Sequence, residues 1–163
     1  AALAEYQSLM VPIVQRHGGS IDKFMGDGIM ATFGAAVTTD SYAADALAAI
    51  DDIMVAADDW ALSRRAAGVR ELKIGAACAA GRIIFGAVGD PTRLEYTVIG
   101  DAVSLAAKLE KHTKAEKVRA LVDAETYQKA LAQGYQPAGT PEPRAARPVE
   151  GTDMPMDLVV MSA

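Results

Sequence analysis

The residues of this 163-residue chain that are best placed to do chemistry lie in two short stretches, each containing a Gly-Asp pair. In the first, Gly26-Asp27-Gly28 separates two apolar segments, and this pattern predicts a β-hairpin over residues 20–34. The carboxylate of Asp27 then lies at the hairpin tip, with little side-chain bulk around it. A carboxylate held there could bind a hard divalent cation, although an Asp-Gly pair alone is also typical of an ordinary surface turn.

The second stretch, residues 96–110, runs from a strand-like segment through a turn at Gly100 into a helix, where Asp101 is the expected N-cap. Ser104 and Lys108 lie one turn apart on that helix. A hydroxyl and an ammonium group presented together near a helix N-terminus could bind an oxyanion or a ribose. A plain surface helix is the alternative interpretation.

Composition limits the classes of partner. Sixteen Lys and Arg against 21 Asp and Glu give a net charge of −5, which argues against non-specific binding to nucleic acid or to an anionic membrane. No apolar run approaches the roughly 20 residues that cross a bilayer, so we expect no membrane contact within this segment. The single cysteine, Cys78, lies in an apolar run and is expected to be a buried structural thiol in a reducing compartment.

Other polar residues have simpler explanations. His17 falls at the end of a predicted helix, where an imidazole is favoured by the helix dipole, so we expect it to be a cap. Four acids on another predicted helix could suggest a metal cluster, but their spacing is compatible with a solvated helix face. These acids are Asp51, Asp52, Asp58 and Asp59.

The hydrophobic pattern predicts the elements that position these residues. Helices are expected over residues 3–17 (with Pro12 inside), 42–67 (after an N-cap cluster at 38–41, with Trp60 and Leu62 on the buried side), 102–112, and from the Asp123 cap to residue 133. Strands are expected over residues 72–80, 83–88, 93–99, 118–122 and 156–161. Residues 72–88 should form a second antiparallel hairpin, and residues 134–155 an irregular connection. Together these indicate an α+β sandwich with helices on one face of a mixed sheet.

Taken together, the two stretches resemble the catalytic domain of class III adenylyl and guanylyl cyclases. The matching segments are residues 17–28, 33–34, 96–103 and 106–110. The resemblance covers nearly the whole chain and implies a ferredoxin-like α/β sandwich with a mixed, mostly antiparallel sheet. It also implies that residues 1–163 form a single domain, which works as a head-to-tail homodimer with its active sites between the subunits.

The resemblance implies roles for five residues. Asp27 corresponds to one of two aspartates that bind two Mg²⁺ or Mn²⁺ ions. Lys23 is similar to the lysine that reads the purine ring, and Thr97 corresponds to the second purine-reading position. The catalytic asparagine and arginine of the family fall at Ser104 and Lys108. A donor lysine together with an acceptor threonine favours ATP over GTP as the substrate.

The chain departs from the family at its catalytic positions. Lys108 keeps the positive charge but lacks the guanidinium fork that bridges phosphate oxygens, and Ser104 has a shorter reach than asparagine. Glu150 stands where the family has a phosphate-binding lysine, and Arg144 or Arg147 could compensate for it. We therefore expect an enzyme of low activity.

The family domain begins with a strand that carries the second metal-binding aspartate, and this chain starts after that strand. We therefore expect the chain to be part of a longer protein, either cytoplasmic or the cytoplasmic domain of a membrane-anchored one. The function implied is that of an adenylate cyclase, which converts ATP to 3′,5′-cyclic AMP and pyrophosphate in intracellular signalling. The alternative is a catalytically weakened cyclase-homology domain that binds nucleotide or dimerises as a regulatory module.

Overall fold

The computed structural model describes residues 2–36, 38–90 and 93–163, and the side chains of residues 84–99 lie outside that description. The helices within these ranges are α1 (Ala2–Arg16), α2 (Tyr42–Ala66), α3 (Asp101–Glu116) and α4 (Ala124–Ala132). The strands are β1 (Ser20–Met25), β2 (Gly28–Thr32), β3 (Ala76–Cys78), β4 (Ile84–Asp90), β5 (Arg93–Ile99), β6 (Ala120–Asp123), β7 (Glu142–Arg147) and β8 (Met156–Ser162). The predicted helices, the first hairpin, and the strands corresponding to β5, β6 and β8 are therefore confirmed, with shifted ends.

The strands form a four-stranded sheet and two separate hairpins. The four-stranded sheet has the order β3-β6-β8-β7, in which β3 pairs with β6 in parallel and the other pairs are antiparallel. The hairpins β1-β2 and β4-β5 are antiparallel two-stranded sheets. The α+β class with a mixed, mostly antiparallel sheet is thus confirmed.

Helices cover both faces of the four-stranded sheet, which corrects the expectation of one covered face. On β6, Ala120 and Val122 belong to a core cluster with residues of α2 and α4. Between them, Leu121 points to the opposite face and packs with Leu109 of α3. Because the central strands β6 and β8 are buried on both sides, their sequences are continuous apolar runs, and such runs carry no alternation that would reveal a single covered face.

Helix α1 packs on α2 through aromatic and apolar contacts. The rings of Tyr6 and Trp60 lie 6.3 Å apart between centroids, and the guanidinium carbon of Arg64 lies 5.3 Å from the centre of the Trp60 ring. Arg64 also forms an ion pair of 3.0 Å with Glu5 on α1. Trp60 is buried as predicted, whereas Leu62 is exposed and was wrongly assigned to the buried side.

The predicted hairpin over residues 72–88 is wrong. Only Ala76–Cys78 of its first half forms a strand, and that strand pairs with the distant β6 instead of β4. The second half pairs with the next segment along the chain, so that Ile84 lies opposite Ile99. The turn signal at residues 81–82 carried no information about which strand would be the partner of β3, because parallel pairing joins residues far apart in sequence.

The segment 134–155 is not wholly irregular, because it contains β7. This strand is at the edge of the sheet, is mostly exposed, and includes Pro143 together with charged residues. Proline and charge are the features that edge strands use to prevent further pairing, and they conceal a strand from a reading based on hydrophobicity.

The N-terminus of α2 is capped by a side chain from a distant element. Ser41 occupies the N-cap position but makes no capping bond there, and its hydroxyl instead donates to Asp45. The side-chain oxygen of Gln133, at the end of α4, accepts from the backbone N–H groups of Ala43 at 2.8 Å and Ala44 at 3.1 Å. The predicted cluster at residues 38–41 is therefore replaced by a tertiary cap that ties α4 to α2.

Replacing Gln133 with Ala will lower the free energy of unfolding by about 1 kcal/mol, because two N–H groups of α2 lose their acceptor. Gln133→Glu will retain stability, since a carboxylate can accept the same bonds and is favoured by the helix dipole. Urea denaturation followed by circular dichroism measures both variants. The matched control is Gln128→Ala at an exposed position of α4, and an equal loss in that control would contradict the capping role.

Candidate active site

The first hairpin carries Asp27 at its tip, as predicted. The last pair of the hairpin is Met25 opposite Gly28, so the two turn residues are Gly26 and Asp27. Gly26 has a φ of +58°, a conformation that favours glycine, and open space surrounds its α-carbon. Asp27 is exposed to solvent. The turn is thus built on Gly26-Asp27 instead of Asp27-Gly28, and it leaves the carboxylate accessible to a ligand.

The Tyr6 side chain of α1 lies within electrostatic range of one carboxylate from each motif. Burial raises the pKa of the Tyr6 hydroxyl, and the nearby carboxylates of Asp27 and Glu110 raise it further. Glu110 is on the helix of the second motif, so the fold brings the two motifs into electrostatic range of one α1 side chain. Asp27 is a suitable hard oxygen ligand, but residues 2–36, 38–90 and 93–163 contain no group of three or more His, Cys, Asp or Glu that could hold a metal ion. The described residues therefore do not complete a metal site by themselves.

The two predicted purine-reading residues lie on the two hairpins. Lys23 is on β1 opposite Met30, immediately after a bulge in the pairing, and it is exposed. Thr97 is on β5 opposite Gly86, and its side chain lies outside the described residues.

Helix α3 begins at a glycine that the packing requires. Gly100 is the N-cap, with a φ of +149°, and a β-carbon there would lie 2.7 Å from the carbonyl oxygen of Arg82. Asp101, the expected cap, is instead the first helical residue. The N–H of Ser104 donates to the carbonyl of Gly100 at 3.2 Å, and the Ser104 side chain is exposed. The serine hydroxyl is therefore presented to solvent in the first turn of the helix.

Lys108, one turn further along α3, packs on a turn of the chain before β8. Gly151 in that turn has a φ of +88°, and the Cε of Lys108 lies 3.1 Å from where a β-carbon of Gly151 would be. The turn is closed by Thr152, whose N–H and hydroxyl donate to the carbonyl of Val149 at 3.0 and 2.6 Å. The methylene stem of Lys108 thus lies along the backbone of Gly151.

Residues 148–155 surround a cleft of about 360 Å³. Its charged lining residues are the acids Glu150 and Asp153. Arg144 and Arg147, which the sequence suggested as substitutes for a phosphate-binding lysine, both face Glu116. Both guanidinium groups form ion pairs at the end of α3, so the suggested compensation stays a prediction.

Glu116 and its partner His112 are the residues that sequence reasoning missed. Both side chains are 8% exposed, and the Nε2 of His112 lies 2.7 Å from the Oε2 of Glu116. Burial raises the pKa of Glu116, but the hydrogen bonds from Arg144 and His112 outweigh it, and the net pKa lies below the usual range. The spacing of His112 and Glu116 by four residues on one helix was visible in the sequence, but their arginine partners on β7 were not.

The remaining candidate residues have structural partners. His17 lies at the end of α1, as predicted, and its Nε2 is 2.6 Å from the Oδ2 of Asp52; this hydrogen bond lowers the pKa of Asp52. The carboxylate of Asp51 accepts a 2.6 Å hydrogen bond from Tyr135. Burial raises the pKa of the Cys78 thiol to about 12, which disfavours the nucleophilic thiolate. These contacts support structural roles.

Several proteins of known sequence and structure are similar to this chain, although no family model matches it. An uncharacterised protein of Mycobacterium tuberculosis is 38% identical over 124 residues, which cover 76% of this chain and 22% of that protein. An adenylate cyclase of Anabaena cylindrica is 33% identical over 114 residues, covering 69% of this chain and 22% of the relative.

The similarity to solved structures covers almost the whole chain. The adenylyl cyclase CyaB of P. aeruginosa superposes with a TM-score of 0.76 at 26% identity, over 99% of this chain and 80% of that one. The guanylyl cyclase Cya2 superposes with a TM-score of 0.78 at 24% identity, over 97% of this chain and 77% of that one.

The two motifs, the fold and these similarities define a nucleotide cyclase catalytic domain. The chain belongs to the class III adenylyl and guanylyl cyclase family. It spans about a fifth of the length of the curated relatives it matches. Within the part of the chain that the structure describes, no helix is both long and apolar enough to cross a membrane.

Proposed function

We propose that this domain is an adenylate cyclase of low activity, which converts ATP to 3′,5′-cyclic AMP and pyrophosphate in intracellular signalling. The observation that carries the proposal is the joint presence of both cyclase motifs in one chain, with Asp27 exposed on a hairpin tip and with Ser104 and Lys108 one turn apart on α3. Two relatives that are 32% and 33% identical carry the name adenylate cyclase, which supports ATP as the substrate over GTP.

The purine would be selected by Lys23 and Thr97. A lysine ammonium can donate to a ring nitrogen of adenine, and a threonine hydroxyl can accept from the exocyclic amino group. The threonine hydroxyl can also act as a donor, so discrimination against GTP should be weaker than with a carboxylate at the same position. Lys23 is exposed on β1.

The phosphate chemistry would be carried by Asp27, Ser104 and Lys108. Two divalent ions, Mg²⁺ or Mn²⁺, would supply activation of the ribose 3′-hydroxyl and shielding of the triphosphate charge. Asp27 is the residue of this chain that we assign as a ligand. Lys108 provides a positive charge for the developing charge at the α-phosphate, and Ser104 provides a hydrogen bond near the ribose.

We further propose that the domain acts as a head-to-tail homodimer in the cytoplasm, as a module of a longer protein. Asp27 of one subunit would then face Ser104 and Lys108 of the other. Two equivalent active sites would form, each incomplete in the monomer.

An assay of cyclic nucleotide formation from ATP and from GTP, with Mn²⁺ and over a range of protein concentrations, tests the function. We expect cyclic AMP as the main product, with a specific activity that rises with protein concentration as dimers form. Asp27→Asn will reduce turnover by about 10²-fold or more, because it removes a charged metal ligand. The matched control is Asp59→Asn on the exposed face of α2. If neither cyclic AMP nor cyclic GMP forms at any protein concentration, the proposal is refuted.

The second candidate is a regulatory module that binds nucleotide or dimerises without turnover. Two features favour it: Ser104 and Lys108 replace the family's catalytic pair, and the two arginines that could have met the triphosphate are bound to Glu116. Isothermal titration with a non-hydrolysable ATP analogue, run beside the activity assay, separates the candidates. Tight binding without product formation is the result that the module predicts.

A further inference from the structure

An ion-pair cluster around the buried carboxylate of Glu116 joins the end of α3 to the edge strand β7. The Nη1 of Arg144 donates to the Oε1 of Glu116 at 2.9 Å and to the Glu116 backbone carbonyl at 2.8 Å. The Nε of Arg147 lies 3.6 Å from the same Oε1, and His112 occupies the other carboxylate oxygen at 2.7 Å. One carboxylate with 8% of its side chain exposed therefore contacts three basic side chains.

A bulge in β7 places both arginines on the same face. Arg144 lies opposite Leu158 and Arg147 opposite Met156, so two residues of β7 correspond to one residue of β8 between these pairs. Without the extra residue, side chains three positions apart would point to opposite faces of the sheet. The bulge is held by Ala146, which has a φ of +53° and donates its N–H to the carboxylate of Asp157 at 2.9 Å. A strained backbone position at Ala146 therefore allows both guanidinium groups to reach Glu116.

We call the contacts of Glu116 with Arg144 and Arg147 the clamp, because they fix β7 to α3. Strand β7 leads directly into the turn that supports Lys108. Val149 follows β7 and is 3% exposed in the cluster that contains Leu109 of α3. Two residues later, Gly151 contacts the stem of Lys108. The same stretch of chain is therefore fixed to α3 at the level of Glu116 and again at the level of Lys108, about 12 Å apart along the helix at 1.5 Å per residue.

We propose that Glu116 is a positioning residue for Lys108, acting through Arg144, Arg147 and the turn at Gly151. The clamp holds the turn on the lysine stem and thereby fixes where the ammonium group lies. The consequence for catalysis rests on the function proposed above, whereas the effect on the lysine itself does not. A lysine at this position has a flexible four-carbon stem, so its placement depends on what its stem packs against.

The test compares Glu116→Gln with Glu142→Gln in the full chain. Both acids bind Arg144, but Glu142 lies at the surface with 57% of its side chain exposed. The first readout is the acetylation rate of each lysine by a water-soluble N-hydroxysuccinimide ester, measured by peptide mass spectrometry. In Glu116→Gln the rate at Lys108 will rise by about threefold or more as the turn loosens, with Lys111 and Lys114 unchanged on the exposed side of the same helix.

The second readout is kinetic. Glu116→Gln will lower kcat by about tenfold with little change in KM, because misplacing a transition-state group affects turnover more than substrate binding. Glu142→Gln will leave both constants near the original values. Arg144→Lys, which keeps the charge but loses the planar fork, will raise the acetylation rate of Lys108 in the same way. In the double variant with Glu116→Gln, the rise in that rate will be smaller than the two single effects combined.

The possible outcomes test the positioning role of Glu116 and the proposed cyclase reaction separately. If the parent protein makes no cyclic nucleotide, the reaction is refuted, and the acetylation rate still decides the clamp. If Glu116→Gln does not fold cooperatively, Arg144→Lys provides the same comparison. An acetylation rate at Lys108 that stays at the parent value in a folded Glu116→Gln or Arg144→Lys variant overturns the inference.

Discussion

Replacing Ser104 with Asn and Lys108 with Arg in the same protein will raise the rate of cyclic AMP formation by about 10²–10³-fold. Asparagine extends a hydrogen-bonding group further from α3 than serine does. Arginine offers a planar fork that can bridge two phosphate oxygens, where lysine offers a single point charge. The exposed position of Ser104 leaves room for the larger side chain, and the arginine stem can lie along Gly151 as the lysine stem does. The measurement is kcat at saturating Mn²⁺-ATP.

The increase in kcat should arise only from the changes at positions 104 and 108. Lys111→Arg is the matched control, because it makes the same chemical change at an exposed site on the same helix. Each single variant should give part of the increase, since the two groups are proposed to act on the same developing charge. A double variant that binds nucleotide with unchanged affinity and gains no activity would favour the regulatory module.

Mixing two inactive variants, Asp27→Asn and Lys108→Met, will restore cyclase activity. In a head-to-tail dimer, each site takes Asp27 from one subunit and Lys108 from the other, so a mixed dimer has one intact site. Random assortment at equal concentrations makes half of the dimers mixed, and the expected activity is about a quarter of the parent value. Methionine is chosen because it preserves an unbranched stem to pack on Gly151 while removing the charge.

The matched control mixes Ser104→Ala with Lys108→Met. Both changes affect the same contributor to each site, so no mixed dimer contains an intact site and no activity should return. Sedimentation of each mixture establishes that subunits exchange. Recovery in the control mixture, or its absence in the test mixture when exchange is complete, would show that the catalytic groups are not shared as proposed.

Local signals in the sequence were sufficient for much of the fold. The Gly26-Asp27-Gly28 pattern predicted the first hairpin, and Asp123 was correctly predicted as an N-cap; its carboxylate accepts from the N–H of Thr126. Two of the failures involve partners that are distant along the chain. Gln133 caps a helix 90 residues earlier, and β3 pairs with β6 across the whole of α3. Periodicity reports which face of an element is buried, but not which other element covers it.

For the candidate site, too, the sequence predicted the local placement of residues but not their contacts with distant parts of the chain. The sequence placed Asp27 on an exposed tip and Ser104 and Lys108 on one helix, and the structure has them there. The contact of Lys108 with Gly151 and the engagement of both β7 arginines by Glu116 could not be predicted, because a bulge at Ala146 decides which face those arginines occupy. The roles of Lys23, Asp27, Thr97, Ser104 and Lys108 stay predictions until the variants above are assayed.

The contact between α1 and α2 contains a natural fluorescent probe. Trp60 is the only tryptophan of the chain, and it lies between Tyr6 and Arg64. Excitation of tyrosine will transfer energy efficiently to an indole at this separation, and a guanidinium close to the ring shifts and partly quenches indole emission. Since the Tyr6 hydroxyl is also electrostatically coupled to Asp27, the intrinsic fluorescence of the unlabelled protein can report changes at the hairpin tip when a cation or nucleotide is added.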